Sequence, residues 1–231
     1  MPSDNQELMS GLHLWTDSVD TVAGLDDALG ILSHDERARA RRFHFERDYV
    51  RFVARRAFAR KVLADYVGVA PSEIRMRTSG HGKPELDPPC GVFFNASHSD
   101  GLAIIAVVSE RLVGVDIERV RPLPDALEVA DGFFSCGEID LLRATPEDSR
   151  AEAFLTIWTR KESYVKAVGA GLSVPFDRFD VSTLDDGGIG RAHGHRADPR
   201  FAFAGLEHLD GYVGAVTLSG RGVMPQHVSA S

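Results

Sequence analysis

The stretch LAIIAVVSERLVGVDIE, residues 102–118, decides the fold class. Residues 102–108 are a continuous apolar run rich in β-branched side chains, which predicts a buried strand. Ser109-Glu110-Arg111 can turn the chain, and residues 112–118 predict a second strand that folds back on the first as a hairpin. Side chains alternate across a strand, so Val113, Val115 and Ile117 share one face. Asp116 and Glu118 then share the other.

Helical patterns flank this core. Ser33-His34-Asp35-Glu36 reads as a capping box, in which the serine covers an orphan N–H and Glu36 reaches back, so a helix begins there. Val50, Val53, Ala54, Ala57, Phe58 and Val62 recur at helical spacing up to Tyr66, and this stripe should pack on a sheet. Ser79-Gly80-His81-Gly82-Lys83-Pro84 is a loop, and residues 94–101 read as a second, polar loop. Arg121-Pro122-Leu123-Pro124 breaks the pattern before the strongest helix of the second half, residues 151–168. Further strands are expected at 179–184, 201–206 and 212–218, with disorder after Gly220. Asp100-Gly101 and Asp210-Gly211 each stand before an apolar strand, an internal echo that two similar α/β halves would explain.

A chain of 231 residues holds one large domain or two closely packed smaller ones. The opening MPSDNQELMS has no apolar run behind it, and nowhere do about 18 uncharged apolar residues follow one another, so neither secretion nor membrane spanning is expected. Cys90 and Cys136 are too few for a disulfide framework, which suits a reducing cytoplasm. The net charge of -8 argues against a general nucleic-acid binder. Within residues 37–61, however, ten basic residues stand against Glu46 and Asp48, a local balance of +8. Such a run is either a solvated helix surface or a landing place for a polyanion.

Two carboxylates as close as Asp116 and Glu118 repel one another unless a cation neutralises them. Magnesium suits such a site where phosphates also bind, whereas a solvated acidic edge strand is the alternative. In the helix 151–168, Lys161 and Glu162 interrupt the apolar stripe of Phe154, Ile157, Trp158, Val165 and Val168. Either they snorkel to water or they serve a site. Glu162 and Lys166 are i,i+4 neighbours, which places a carboxylate beside an ammonium. A serine-hydrolase reading of Ser97, His98 and Ser99 fails, because triad members come from separated segments and no G-x-S-x-G elbow is present. His193-Gly194-His195 lacks Cys or acidic partners and reads as a hairpin connection.

Taken in order, Gly82-Lys83-Pro84, Phe94-Asn95-Ala96-Ser97-His98-Ser99, Gly114-Val115-Asp116-Ile117-Glu118 and Trp158-Thr159-Arg160-Lys161-Glu162-Ser163-Tyr164-Val165-Lys166 resemble the Sfp-type phosphopantetheinyl transferases. The resemblance spans residues 33–218. It implies an α/β (α+β) monomer, a pseudo-twofold pair of similar halves, each a small antiparallel-rich sheet packed with helices, with coenzyme A in the cleft between them. The expected division is 1–109 with the basic helix and coenzyme-binding loops, 110–220 with the carboxylates and Lys166, and a tail at 221–231. The activity implied is transfer of 4′-phosphopantetheine from coenzyme A to a serine of an acyl or peptidyl carrier protein.

By motif, Asp116, Glu118 and Glu162 would hold magnesium, and Lys166 would contact the phosphate bridge being cleaved. Lys83, Pro84, Asn95, Ser97 and His98 would line the coenzyme pocket, with His98, Arg39, Arg42 and Arg51 near its 3′-phosphate. Glu138, in a segment resembling one that helps activate the nucleophile, would be a base alternative to Glu162. A carrier-docking patch is expected from residues 123–134 or from the turn at 169–176. Two competing readings are a coenzyme A-binding regulator without turnover and a magnesium-dependent phosphohydrolase.

Overall fold

The computed structural model describes residues 11–22, 24–80, 82–169 and 174–220. Strand β1 (His13–Ser18) is followed by helices α1 (Leu25–Ile31), α2 (His34–Ala40) and α3 (Glu46–Val67). The short strands β2 (Met76–Thr78) and β3 (Pro84–Leu86) lead into β4 (Val92–Ser99), β5 (Leu102–Ser109) and β6 (Val113–Arg119). Helices α4 (Ala126–Phe133), α5 (Cys136–Ala144) and α6 (Glu147–Val168) come next, then β7 (Ile189–Gly190), β8 (Phe201–Gly205) and β9 (Tyr212–Ser219). No helix among the described residues is long and apolar enough to cross a membrane.

The strands form an antiparallel sheet of order β1-β5-β4, a β2-β3 pair and an antiparallel sheet of order β6-β9-β8-β7. The expected hairpin between residues 102–108 and 112–118 is therefore incorrect. Both strands exist, but β5 already carries β1 on one edge and β4 on the other, with Ile105 opposite Trp15 and Ala96. Glu110, at a φ of 57°, turns the chain out of that sheet, and β6 pairs with β9, Val115 opposite Val216.

The two sheets repeat one arrangement. Each sets its first strand against its last and the last against the preceding one, β1-β5-β4 and β6-β9-β8. Each half contributes a 22-residue helix, α3 or α6, closed by a glycine in the left-handed region, Gly68 or Gly169. The buried side chains of α3, Val62 and Leu63 among them, pack on Phe94, Ile105 and Val107 of the first sheet. In the second half, Phe154, Ile157, Tyr164 and Val165 of α6 enter a larger core with Phe134, Phe179, Phe201 and Phe203.

The capping box at Ser33 is present: Glu36 N donates to Ser33 Oγ at 3.2 Å and Ser33 N to Glu36 Oε2 at 2.8 Å. The same Glu36 carboxylate receives Arg56 and the buried Arg60, whose Nη1 also reaches Pro71 O and Ile74 O. Burial opposes ionisation of Glu36, but Arg56, the Ser33 N–H and Arg60 outweigh it and lower its pKa. Two of the ten basic residues thus serve the fold.

The expected strand at 179–184 is a single bridge, Asp180 to His193. Asp180 Oδ1 accepts from Ser182 N and Ser182 Oγ, a local turn that competes with a ladder. Residues 94–99, expected as loop, belong to β4. Helix α6 starts at Glu147, before the expected residue 151. The proposed docking residues 170–173 and the tail 221–231 lie outside the described residues.

Candidate active site

Strands β4 and β6 are edge strands of different sheets, and side chains lace them together. On β4 the alternate residues Asn95, Ser97 and Ser99 turn towards β6. Asn95 Oδ1 accepts from Val115 N at 2.9 Å, Ser97 Oγ donates to Asp116 Oδ1 at 2.7 Å, and Ser99 Oγ donates to Glu118 Oε2 at 2.8 Å. Arg119 N donates back to Ser99 Oγ at 3.0 Å. The polar run that looked like a loop is the mate of an unpaired strand edge, whose N–H and C=O groups need partners.

Helix α6 lies against β6 because position 114 has no side chain. A Cβ on Gly114 would sit 2.0 Å from Ser163 O and 2.4 Å from Ala167 N. This close approach brings Glu162 and Lys166 to Asp116. Lys166 Nζ donates to Asp116 Oδ1 at 2.6 Å and is within 3.3 Å of both Ser97 Oγ and Val115 O. Asp116 is 5% exposed, and its other oxygen, Oδ2, is buried without a hydrogen-bond partner. Partial burial raises the pKa of Glu162, and the neighbouring carboxylates of Asp116 and Glu118 push the same way against the pull of Lys166.

No group of three His, Cys, Asp or Glu side chains among the described residues converges into a ready metal cage. The donor set nevertheless fits a hard divalent cation. Among the described residues the carboxylates of Asp116, Glu118 and Glu162 neighbour the Lys166 ammonium, with Arg121 4.0 Å from Glu118 at the outer edge, and a buried carboxylate oxygen without a partner is costly unless a cation or donor reaches it.

Next to this cluster lies a cleft of about 990 Å³, whose lining among the described residues falls between 33 and 105 and includes Arg39, Arg55, Arg75, Pro84, Ser97 and His98. The guanidinium carbons of Arg39 and Arg55 both lie 5.7 Å from the ring centre of buried Phe52, which sets them on one wall. Arg55 Nη1 meets His98 Nε2. Partial desolvation, then Arg55, Lys166 and Arg51, lower the His98 pKa to about 4, so its ring is neutral at pH 7. Desolvation, with Arg56 and Arg39, lowers Arg55 to about 10. Concentrated positive charge with few carboxylates is what a polyanion requires.

Not every expected contact reaches this cleft. Arg51 is held by Asp20 at 2.5 Å, with Asp100 at 3.7 Å, and Arg42 lines an adjoining depression of about 610 Å³ with Arg39 and Phe43. Asn95 is spent on Val115 N. Lys83 points away from the cleft, its Nζ donating to Val113 O and Lys166 O at 2.9 Å each. Arg55 and Arg75 were not singled out by the sequence. Arg55 follows Phe52 by three positions on α3, so a helical projection aimed at β4 would have found it.

The profile described as the 4′-phosphopantetheinyl transferase superfamily matches residues 112–217, and one described as 4′-phosphopantetheinyl transferase, N-terminal, matches residues 15–110. The 4′-phosphopantetheinyl transferase HetI of Nostoc sp. is 39% identical to this chain over 170 residues, covering 72% of each. The chain belongs to the 4′-phosphopantetheinyl transferase superfamily. Another relative, the 4′-phosphopantetheinyl transferase Sfp of Bacillus subtilis (strain 168), is 34% identical over 70% of each chain.

Within this superfamily member, Glu138 is not placed as a base. Its side chain is fully buried and bound to Lys161 at 2.8 Å, while Ser135 N and Val181 N donate to it at 2.9 and 2.8 Å. It closes a second capping box, Ser135-Cys136-Gly137-Glu138, the same pattern as at Ser33. Lys161 also donates to Phe176 O and Phe179 O at 2.7 and 2.5 Å. It neither snorkels nor enters the site. Fully buried and engaged by one ammonium and two backbone N–H groups, the Glu138 carboxylate faces the core and serves the fold.

Proposed function

We propose that this protein moves the 4′-phosphopantetheine arm of coenzyme A onto a serine of an acyl or peptidyl carrier protein and releases 3′,5′-ADP. The observation that carries this reading is the pairing of an arginine-walled cleft with Asp116, whose unpartnered Oδ2 lies beside Lys166. The half spanning 1–109 supplies the cleft for the nucleotide end of coenzyme A, and the half spanning 110–220 supplies the carboxylates and Lys166. The reading is of a monomer working in the cytoplasm.

In this scheme Arg39, Arg55 and His98 bind the phosphorylated nucleotide end, and Lys166 reaches the pyrophosphate. Asp116, Glu118 and Glu162 would hold magnesium, which when bound supplies neutralisation of the three carboxylates and of phosphate charge. The carrier hydroxyl oxygen attacks the β-phosphorus and its proton passes to the Glu162 carboxylate, directly or through water. The bond from the β-phosphorus to the bridging oxygen breaks, and its electron pair leaves on 3′,5′-ADP. Lys166 offsets that growing charge. Positioning and charge neutralisation do most of the work in phosphoryl transfer, which suits a site built on two strands and a helix.

The decisive experiment is intact mass spectrometry of purified apo-carriers, both acyl and peptidyl, after incubation with coenzyme A, magnesium and this protein. One added phosphopantetheine and stoichiometric 3′,5′-ADP are expected. Carriers of unchanged mass throughout would overturn the assignment.

A further inference from the structure

A helix leaves its last carbonyls without partners, and such ends are closed by a following glycine, by water or by a cation. On α6 the Gly169 N–H returns to Val165 O at 3.0 Å. Lys166 O, one residue on, takes its hydrogen bond from a distant source, the ammonium of Lys83, 83 positions earlier in the chain. The same ammonium donates to Val113 O, the first carbonyl of β6.

Lys83 closes a tight loop at the cleft rim. Ser79 N donates to Lys83 O at 2.8 Å, Gly82 N to Ser79 O at 2.9 Å and Lys83 N to Ser79 Oγ at 3.1 Å. Both of its chain neighbours, Gly82 and Pro84, line the cleft, while its own side chain crosses to the other half of the molecule. Pro84 is also the first residue of β3, paired with Thr78, so the loop is anchored at its base. The loop that borders the cleft and the helix that carries Lys166 therefore share one cation. Partial desolvation lowers the pKa of that cation to about 8, with Glu85 opposing.

We propose that Lys83 is a positioning residue for the transfer reaction: reaching from the cleft rim, it caps the carboxy end of α6 and locks that end to β6, which keeps the Lys166 ammonium on Asp116. This inference builds on the transferase reading. Favourable placement of a cation at a helix carboxy end supports it, as does the direct bond to the backbone of the residue it positions. The arrangement departs from the expectation that Lys83 binds the coenzyme. A lysine that touches the coenzyme and a lysine that aims another lysine differ in which kinetic constant they control.

The test is Lys83→Met, which keeps the length and bulk of the arm and removes the cation. The expected result is a fall in kcat of about 10- to 100-fold, the scale of a small displacement of a reacting group, with KM for coenzyme A within about twofold of the parent. Backbone amides of residues 167–169 should exchange with deuterium faster in the free variant than in the free parent. A raised KM with kcat unchanged would make Lys83 a coenzyme ligand and overturn the proposal, as would unchanged exchange at the helix end. Should Lys83→Met fail to fold, Lys83→Gln retains N–H donors on a shorter arm and carries the same two readouts. Exchange needs no substrate, so a parent that transfers nothing sinks the transferase reading while the cap is still tested.

Discussion

Helix α6 carries two lysines five positions apart, each paired with a carboxylate, and the two pairs have opposite character. Lys161 and Glu138 are both 0% exposed, and the ammonium makes three hydrogen bonds, to Glu138, Phe176 O and Phe179 O. The Phe179 ring centre lies 4.3 Å away. Lys166 and Asp116 keep 28% and 7% side-chain exposure, and one oxygen of Asp116 has no partner. Five residues of helix turn a side chain by about 140°, so one lysine faces the core and the other the seam with β4 and β6. The difference teaches how to tell a fold pair from a site pair. A closed pair satisfies itself, whereas an open pair leaves capacity for something not yet bound.

Removing Glu138 should break the closed pair with the largest effect. Glu138→Ala leaves a buried ammonium without its counter-charge, a loss of about 3–5 kcal/mol. Chemical denaturation should show that drop, and the double change Lys161→Met with Glu138→Leu should recover most of it. A Glu138→Ala protein as stable as the parent yet unable to transfer would return Glu138 to the chemistry.

The open pair should behave the other way. Asp116→Asn is expected to lower kcat by about 10²- to 10³-fold, the scale of losing one electrostatic element of a transition-state site. Its stability should stay within about 1 kcal/mol of the parent, because the ion pair that it weakens is partly solvated. Excess chelator should also silence the parent. Full transfer in chelator would remove the metal assignment, and a collapse of stability in Asp116→Asn would erase the contrast with Glu138.

Much of this contrast is legible in the sequence. The alternation in β6 placed Asp116 beside Glu118, and the i,i+4 spacing placed Glu162 beside Lys166. The capping box at Ser33 was read from four residues. Its twin at Ser135 has the same form, and only the resemblance of that segment makes Glu138 an expected base where the residues themselves spell a helix cap. Strand pairing was misread because adjacency in sequence favours a hairpin, while the choice between β5 and β9 as the mate of β6 depends on which edges are already filled. Strand β4 reads as a loop in the sequence because Asn95, Ser97 and Ser99 are polar; they are polar to serve the edge of β6. Individual arginines were beyond reach, since a run of like charges does not say which are used by Glu36 or Asp20 and which are left for a ligand.

That last distinction gives a smaller, sharper comparison between Arg55 and Arg51. Arg55 lines the cleft and has no carboxylate partner among the described residues, whereas Arg51 is held by Asp20. Calorimetry of coenzyme A and 3′-dephospho-coenzyme A should show tighter binding of the former. Arg55→Ala should reduce that preference by about tenfold, the scale of one charge-assisted hydrogen bond, and Arg51→Ala by less than about twofold. Higher salt should narrow the preference in every variant. Equal losses from both substitutions would mean that Asp20 does not withhold Arg51 from the ligand.

The smallest expected effect concerns the protonation of His98. In the free protein its pKa lies near 4, because partial desolvation and three cations disfavour the imidazolium. A phosphate brought among those cations offsets their repulsion, so the pKa should rise in the complex towards the ordinary histidine value of about 6.5. A group whose pKa rises on binding takes up a proton, and the affinity then grows as pH falls through the pKa of the complex. Between pH 7.5 and 6 this predicts a gain of about two- to threefold for coenzyme A beyond that of His98→Gln. The phosphate itself gains a proton in the same range, which acts in the opposite direction and is common to both proteins. Calorimetry in two buffers of different ionisation enthalpy reads the proton uptake directly, with more uptake by the parent than by His98→Gln as the expected result. Identical uptake would show that the bound phosphate leaves His98 neutral, and the ring would then act only as the acceptor that holds Arg55 on the wall of the cleft.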